Sequence, residues 1–245
     1  MTAFKDHFSA HAGDYARARP RYPESLFGFL AGLLRARDRA WDCATGNGQA
    51  AESLSRHFDA VIATDASESQ ISQAPLLPRV EFRVAPAESS GLAPGSVDLV
   101  AVAQALHWFD IEQFFDEVRR VSKPGGVLAV WCYGTCRISP ECDPLVHGLY
   151  ADLDDYWPPE RAMVESGYRD IDLPGTAVEC PAFSMTALWT AADMLAYLGT
   201  WSATQRYQRA HGNDPVAALA QELHAAWGER QRTVSWPLHL KVARL

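Results

Sequence analysis

Four short stretches hold residue types that bind or react with a polar cofactor. The first is Asp42-Cys43-Ala44-Thr45-Gly46-Asn47-Gly48, where nearly every residue is small. Bare backbone lets a ligand press close, and amides at the start of a following helix hold polar or anionic groups. The second is Asp65, which closes the apolar run Ala60-Val61-Ile62-Ala63-Thr64. Its carboxylate can accept hydrogen bonds from both hydroxyls of a ribose, or cap the helix that Ser67 and Ser69 introduce. The third is Ala87-Glu88, placed to border an adenine ring, with an exposed loop charge as the plainer reading of Glu88. The fourth, Gln104-Ala105-Leu106-His107-Trp108-Phe109-Asp110, sets an amide and an imidazole beside two aromatics just past a buried run. That is pocket composition. Asp110 as a helix cap accounts for itself and leaves Gln104 and His107 over.

The glycine loop reads in two frames. Gly46-x-Gly48-x-x-Ala51 fits a dinucleotide fingerprint, with acidic Asp65 about 20 residues on. Asp42-x-Ala44-x-Gly46-x-Gly48 puts an acidic residue before three small positions and resembles the first motif of class I S-adenosylmethionine-dependent methyltransferases. The loop alone does not separate the two.

Alternating elements must position these groups. Apolar spacing predicts a helix over 24–34 begun by Pro23, strand one over 39–44 and a helix over 48–58. Strands follow at 60–64, 80–84, 97–103 and 127–131, with a helix over 111–121 capped by Asp110 and ended by Lys123-Pro124-Gly125-Gly126. The run at 97–103 is nearly all apolar, as a central parallel strand is. Strand and helix therefore alternate five times, which predicts an α/β, doubly wound parallel sheet. Such sheets hold ligands at the carboxyl ends of their strands, where all four stretches fall.

Composition narrows the partners. A chain of 245 residues carrying a net charge of −8 is large enough for one domain with a cap, and too acidic for a nucleic-acid backbone as its main partner. No membrane span or signal peptide is expected. The five cysteines form no paired framework, so a cytoplasmic setting is expected. Cys132, Cys136 and Cys142 match no usual zinc spacing, and no metal is expected.

Taken together and in this order, the motifs resemble class I S-adenosylmethionine-dependent methyltransferases of the type 11 group. The N-terminal Tyr15 and Arg19-Pro20-Arg21-Tyr22-Pro23 are similar to a pattern of the trans-aconitate-methyltransferase-like members. The resemblance covers about residues 8–131, and Ala44 departs from it by standing where a glycine is usual. It implies a mostly parallel, seven-stranded Rossmann-like sheet whose last strand is antiparallel. It also implies S-adenosyl-L-methionine as cofactor and a small-molecule acceptor, a carboxylate or a hydroxyl. Cofactor contacts are expected from Tyr15, Arg19, Asp42, Ala44, Gly46, Gly48, Asp65, Ala87, Glu88 and Gln104. His107, Gln104 and Trp108 are expected beside the transferred methyl group. If the acceptor is a carboxylate, Arg19 or Arg206 would fix its charge; if a hydroxyl or an amine, His107 is the candidate base. A non-catalytic cofactor binder and an NAD(P)-dependent oxidoreductase are the alternatives.

The expected organisation is an N-terminal flap and first helix (1–34), a cofactor-binding core (35–134), a helical cap with strand six at 178–188 (135–232) and a closing strand (233–245). Cap helices are predicted over 143–153, 158–168, 191–201 and 215–227. Thr200 to Thr204 is a candidate substrate wall. Pro237 interrupts the closing strand, which predicts a bulge there or pairing that begins after it.

Overall fold

The computed structural model describes residues 19–245. Chain order is α1 (Glu24–Gly32), β1 (Arg39–Cys43), α2 (Gln49–Leu54), β2 (Ala60–Asp65), α3 (Glu68–Ser72), β3 (Val80–Val84), β4 (Val97–Ala103), a 3-10 turn at Leu106–Trp108, α4 (Ile111–Val121) and β5 (Ser122–Tyr133). Then come α5 (Asp143–Asp152), a 3-10 turn at Asp154–Tyr156, α6 (Arg161–Glu165), β6 (Thr176–Val178), β7 (Phe183–Trp189), α7 (Ala191–Gly199), α8 (Ser202–His211), α9 (Pro215–Trp227) and β8 (Arg232–Arg244).

The sheet order is β3-β2-β1-β4-β5-β8-β6, with β7 also on β8. The first five strands pair in parallel, and β8 runs antiparallel to β5, β6 and β7. Leu238 pairs with Tyr133 of β5 on one edge and Phe183 of β7 on the other, while Val242 pairs with Ala129 of β5 and Val178 of β6. Strands β6 and β7 therefore share one edge of β8, and the sheet has seven positions. This is the expected doubly wound α/β fold.

Alternation along the central strands splits the interior into two layers. Leu99, Ala101, Val127, Ala129 and Trp131 face a core shared with α1, α2 and the cap helices α7 and α9. Val100, Val102, Leu128, Val130 and Cys132 face a second core with Phe114, Val118, Val164 and Tyr168. Residues at i and i+2 of a strand share a face, so burial on both sides makes β4 apolar at every position but Asp98.

Strand six is broken where 178–188 predicts one run. Pro181, which has no amide to donate, lies between β6 and β7. Strand β5 begins earlier than expected, at Ser122, because Pro124-Gly125-Gly126 is accommodated as a register shift between Val97 and Leu99. Pro237 is paired on the β7 side, opposite Ser184, and the ladder with β5 starts after it, at Leu238. Ser235 donates its amide to Arg137 across that same gap. Strand alternation thus points the missing Pro237 donor into the space between that bridge and the end of β5.

Candidate active site

The loop after β1 is shaped by four successive demands on its backbone. Thr45 donates its amide to the Thr64 carbonyl at 2.9 Å, which ties the loop to the end of β2. Ala44 (φ 56°), Gly46 (φ 55°) and Gly48 (φ 82°) all lie in the left-handed region. For Ala44 that conformation costs on the order of 1 kcal/mol, the consequence of the departure from glycine at this position. The two glycines are required for different reasons. A Cβ on Gly46 would meet no atom within 4 Å, so its face is open to a ligand. A Cβ on Gly48 would lie 2.9 Å from Phe82 Cζ, so this residue is small to let β3 pack over the start of α2.

Three carboxylates surround that loop. Asp65 is 9% exposed at the end of β2 and accepts the Gly46 amide on one oxygen and the Ser67 amide on the other, both at 2.9 Å. One side chain thus fixes both the glycine loop and the approach to α3. Asp42 is fully buried and accepts the Thr45 hydroxyl at 2.5 Å. Burial pushes its pKa up to about 7 against the opposing hydrogen bonds of Thr45 and the Ala51 amide, and the Asp65 charge adds to the rise. Glu88 is half-buried beside buried Ala87 and accepts the Asp110 amide at 2.9 Å, so it links the loops after β3 and β4.

At the end of β4 the chain turns sharply. Gln104 takes φ 57°, and its amide completes the sheet: Nε2 donates to the Tyr133 carbonyl at 3.1 Å and Oε1 accepts the Tyr133 amide at 2.7 Å. Both ends of this side chain are committed to β5. His107 lies in the 3-10 turn, 7% exposed, with Nδ1 2.9 Å from the Tyr168 hydroxyl. Burial, then the nearby Arg161 charge, push its pKa down to about 3, so the ring is neutral at physiological pH. Trp108 packs on it, ring centroids 4.6 Å apart. Asp110 caps α4 through the Gln113 amide, as expected.

Arg19 reaches the same sheet edge from the N-terminal side. Its Nη1 donates to the Tyr133 hydroxyl at 2.8 Å and its guanidinium lies 5.4 Å from the centroid of the Tyr197 ring on α7. Gln49 in α2 donates to the Pro20 carbonyl at 3.2 Å, which seats this segment over the glycine loop. Arg206 donates to the Tyr156 carbonyl at 3.3 Å on the outer cap. Tyr15, expected at the cofactor, lies outside the described residues.

The structure thus gathers Asp42, Ala44, Gly46, Gly48 and Asp65 at the carboxyl end of β1 and β2. Gln104 and Arg19 meet at Tyr133 on β5. Two participants escaped the sequence reading. Tyr133 ends a strand whose aromatic tail reads as core, and Tyr168 meets His107 from 61 residues away, a distance no local pattern spans. Among the described residues, no cluster of three His, Cys, Asp or Glu side chains is arranged to hold a metal ion. All five cysteines are free thiols.

The site suits a nucleoside cofactor with a charged tail: an open face at Gly46, an acidic group at the end of β2 and a guanidinium across the sheet. Known proteins resemble the chain in the same way. Residues 41–130, from β1 to β5, match a family model described as a methyltransferase domain. A candidate methyltransferase of Dictyostelium discoideum is 32% identical over 231 residues, spanning 92% of this chain and 88% of that protein. A Saccharomyces cerevisiae protein named as a probable S-adenosylmethionine-dependent methyltransferase is 33% identical over 146 residues, 56% of this chain and 48% of its own length. A solved structure described as a candidate type II methyltransferase from Anaeromyxobacter dehalogenans superposes with a TM-score of 0.87 at 47% identity, covering 92% of this chain and 97% of that one. A likeness that runs nearly end to end in sequence and fold, through the motifs that build the site, settles between the two frames of the glycine loop: this chain belongs to the S-adenosylmethionine-dependent class I methyltransferases.

Proposed function

We propose that the enzyme methylates a carboxylate of a small acidic molecule, in keeping with the resemblance of its N-terminal segment to the trans-aconitate-methyltransferase-like members. The observation that carries this reading is the state of His107. An efficient general base has a pKa near the operating pH. His107 is a buried imidazole pushed down to about 3 with Tyr168 on its Nδ1, so it is a poor proton acceptor. A carboxylate acceptor needs none, because it attacks with a lone pair and has no proton to lose.

S-adenosylmethionine supplies a methyl group already activated by its sulfonium charge. The chain's own work is alignment and exclusion of water, which together account for about 7–11 kcal/mol of barrier in well-oriented reactions. In this reading the bare backbone at Gly46 and Gly48 receives the cofactor, with Ala44 and Asp42 shaping the loop beneath it. Asp65 takes the ribose hydroxyls on the same carboxylate that holds the Gly46 and Ser67 amides. Ala87 and Glu88 border the adenine, and Arg19, with Tyr15, faces the amino-acid end. Gln104 holds β4 to β5, and His107 and Trp108 wall the acceptor. A cytoplasmic setting fits the five free thiols.

The test is transfer from methyl-labelled S-adenosylmethionine to matched pairs of small molecules, each a carboxylic acid and its alcohol. We expect base-labile methyl esters from the acids, and a His107→Ala variant within about tenfold of wild type. Ether products, with a loss of about 10²-fold or more in His107→Ala, would instead assign His107 as a base and a hydroxyl as the acceptor.

A further inference from the structure

We propose that Arg161 anchors an anionic group of the acceptor, a role that rests on the carboxylate reading above and adds a residue no motif predicts. Arg161 opens α6, the short helix packed against the end of β5. One turn on, the Val164 carbonyl accepts the Cys132 thiol at 3.7 Å, and Tyr168, just past the helix, holds His107 at 2.9 Å. Arg161 therefore sits beside the turn that carries His107 and Trp108, close enough for its charge to be felt at His107, Cys132 and Tyr168.

Its environment is that of a ligand-binding arginine. The guanidinium stacks 4.9 Å from the Trp157 ring centroid and 5.5 Å from that of Tyr150. Nε donates to the Tyr150 hydroxyl at 3.0 Å, which fixes the plane of the fork. The two terminal nitrogens have no hydrogen bond or ion pair among the described residues. Glu165, one turn along the same helix, accepts the Tyr150 hydroxyl. A planar fork held by aromatic rings and a single Nε bond presents its remaining donors in the geometry that a carboxylate takes as a bidentate partner. Behind Trp157 and Tyr150 the ring contacts continue inward through buried Trp201, 5.6 Å from Trp157 and 5.7 Å from Tyr150, to buried Tyr197, on which Arg19 lies. An acid with a flat or unsaturated body would lie against the half-buried rings of Trp157 and Tyr150 with its charge on Arg161.

Two readouts on Arg161→Gln and Arg161→Lys test this. The first is the quenching of Trp157 and Trp201 fluorescence on titrating cinnamate, with cinnamamide as the uncharged control, into protein saturated with S-adenosylhomocysteine. The second is KM and kcat for methyl transfer to the acids of the panel. We expect wild type to bind cinnamate in preference to the amide and Arg161→Gln to weaken that binding at least tenfold. Arg161→Lys should recover part of it, and S-adenosylhomocysteine affinity should stay within twofold in both variants. The loss in transfer should fall on KM rather than kcat. Equal cinnamate binding by wild type and Arg161→Gln, or no preference over the amide, would overturn the proposal. Arg161-dependent binding of acids with no ester formed would leave the anchor standing and sink only the carboxylate as methyl acceptor.

Discussion

At the scale of single residues, two buried ionisable groups pull the pH dependence of stability in opposite directions. His107 falls from an ordinary 6.5 to about 3 in the folded chain. The unfolded chain binds the extra proton between those values, so this contribution is fully present above about pH 6.5 and is lost as pH falls towards 3. Asp42 rises from 3.8 to about 7. Here the folded chain holds the extra proton, so its contribution is present below about pH 3.8 and is lost as pH rises towards 7. Each slope is at most about 1.4 kcal/mol per pH unit. Urea unfolding should therefore give a nearly flat wild-type profile between about pH 4 and 6.5. Asp42→Asn should gain stability with rising pH across that window, and His107→Gln should lose it. Parallel profiles for all three proteins would contradict these shifts. The sequence announced both residues by their place at strand ends. It was silent on their environments, because burial and the Tyr168 contact arise from chain segments far away.

Elements show where local pattern suffices and where it does not. Helix α4 begins and ends where Asp110 and apolar spacing put it, since its cap and its buried face are both encoded locally. Helix α8 escaped notice because its surface is polar, with only Ala203 and Thr204 buried. The break between β6 and β7 needed the partner strand β8 to be visible. The glycine loop offers a test at this scale. Gly48→Ala must adopt φ 82° and push its Cβ to 2.9 Å from Phe82. We expect it to lose about 1–3 kcal/mol of stability and to bind S-adenosylhomocysteine more weakly. Ala44→Gly relieves the strain at φ 56° and adds back glycine's own chain entropy. It should fall between neutral and about 1 kcal/mol more stable by thermal unfolding. If Gly48→Ala is as stable as wild type, the loop does not hold the shape described.

On the scale of the whole molecule, the helices after β5 are not a separate body. Trp201, Leu223 and Trp227 bury, with Trp236 of β8, into the same core as the sheet face of β4 and β5. A row of ring contacts in consequence joins the two arginines, with Arg19 of the N-terminal segment at one end and Arg161 at the other. The Rossmann-like half was legible because it repeats a strand–helix pattern and carries its motifs in order. The proposed acceptor side was not, because its residues come from α5, α6, α7 and the segment before α1, which meet only in the folded chain. Everything in the proposed chemistry depends on the cofactor lying across the glycine loop with its ribose on Asp65. Calorimetric titration of S-adenosylhomocysteine into wild type, Asp65→Asn and Asp65→Ala tests that directly. Micromolar binding by wild type, weakened at least tenfold (about 1.4 kcal/mol) in Asp65→Ala and less in Asp65→Asn, is the predicted result. Binding that is unchanged in Asp65→Ala, or absent from wild type, would contradict it.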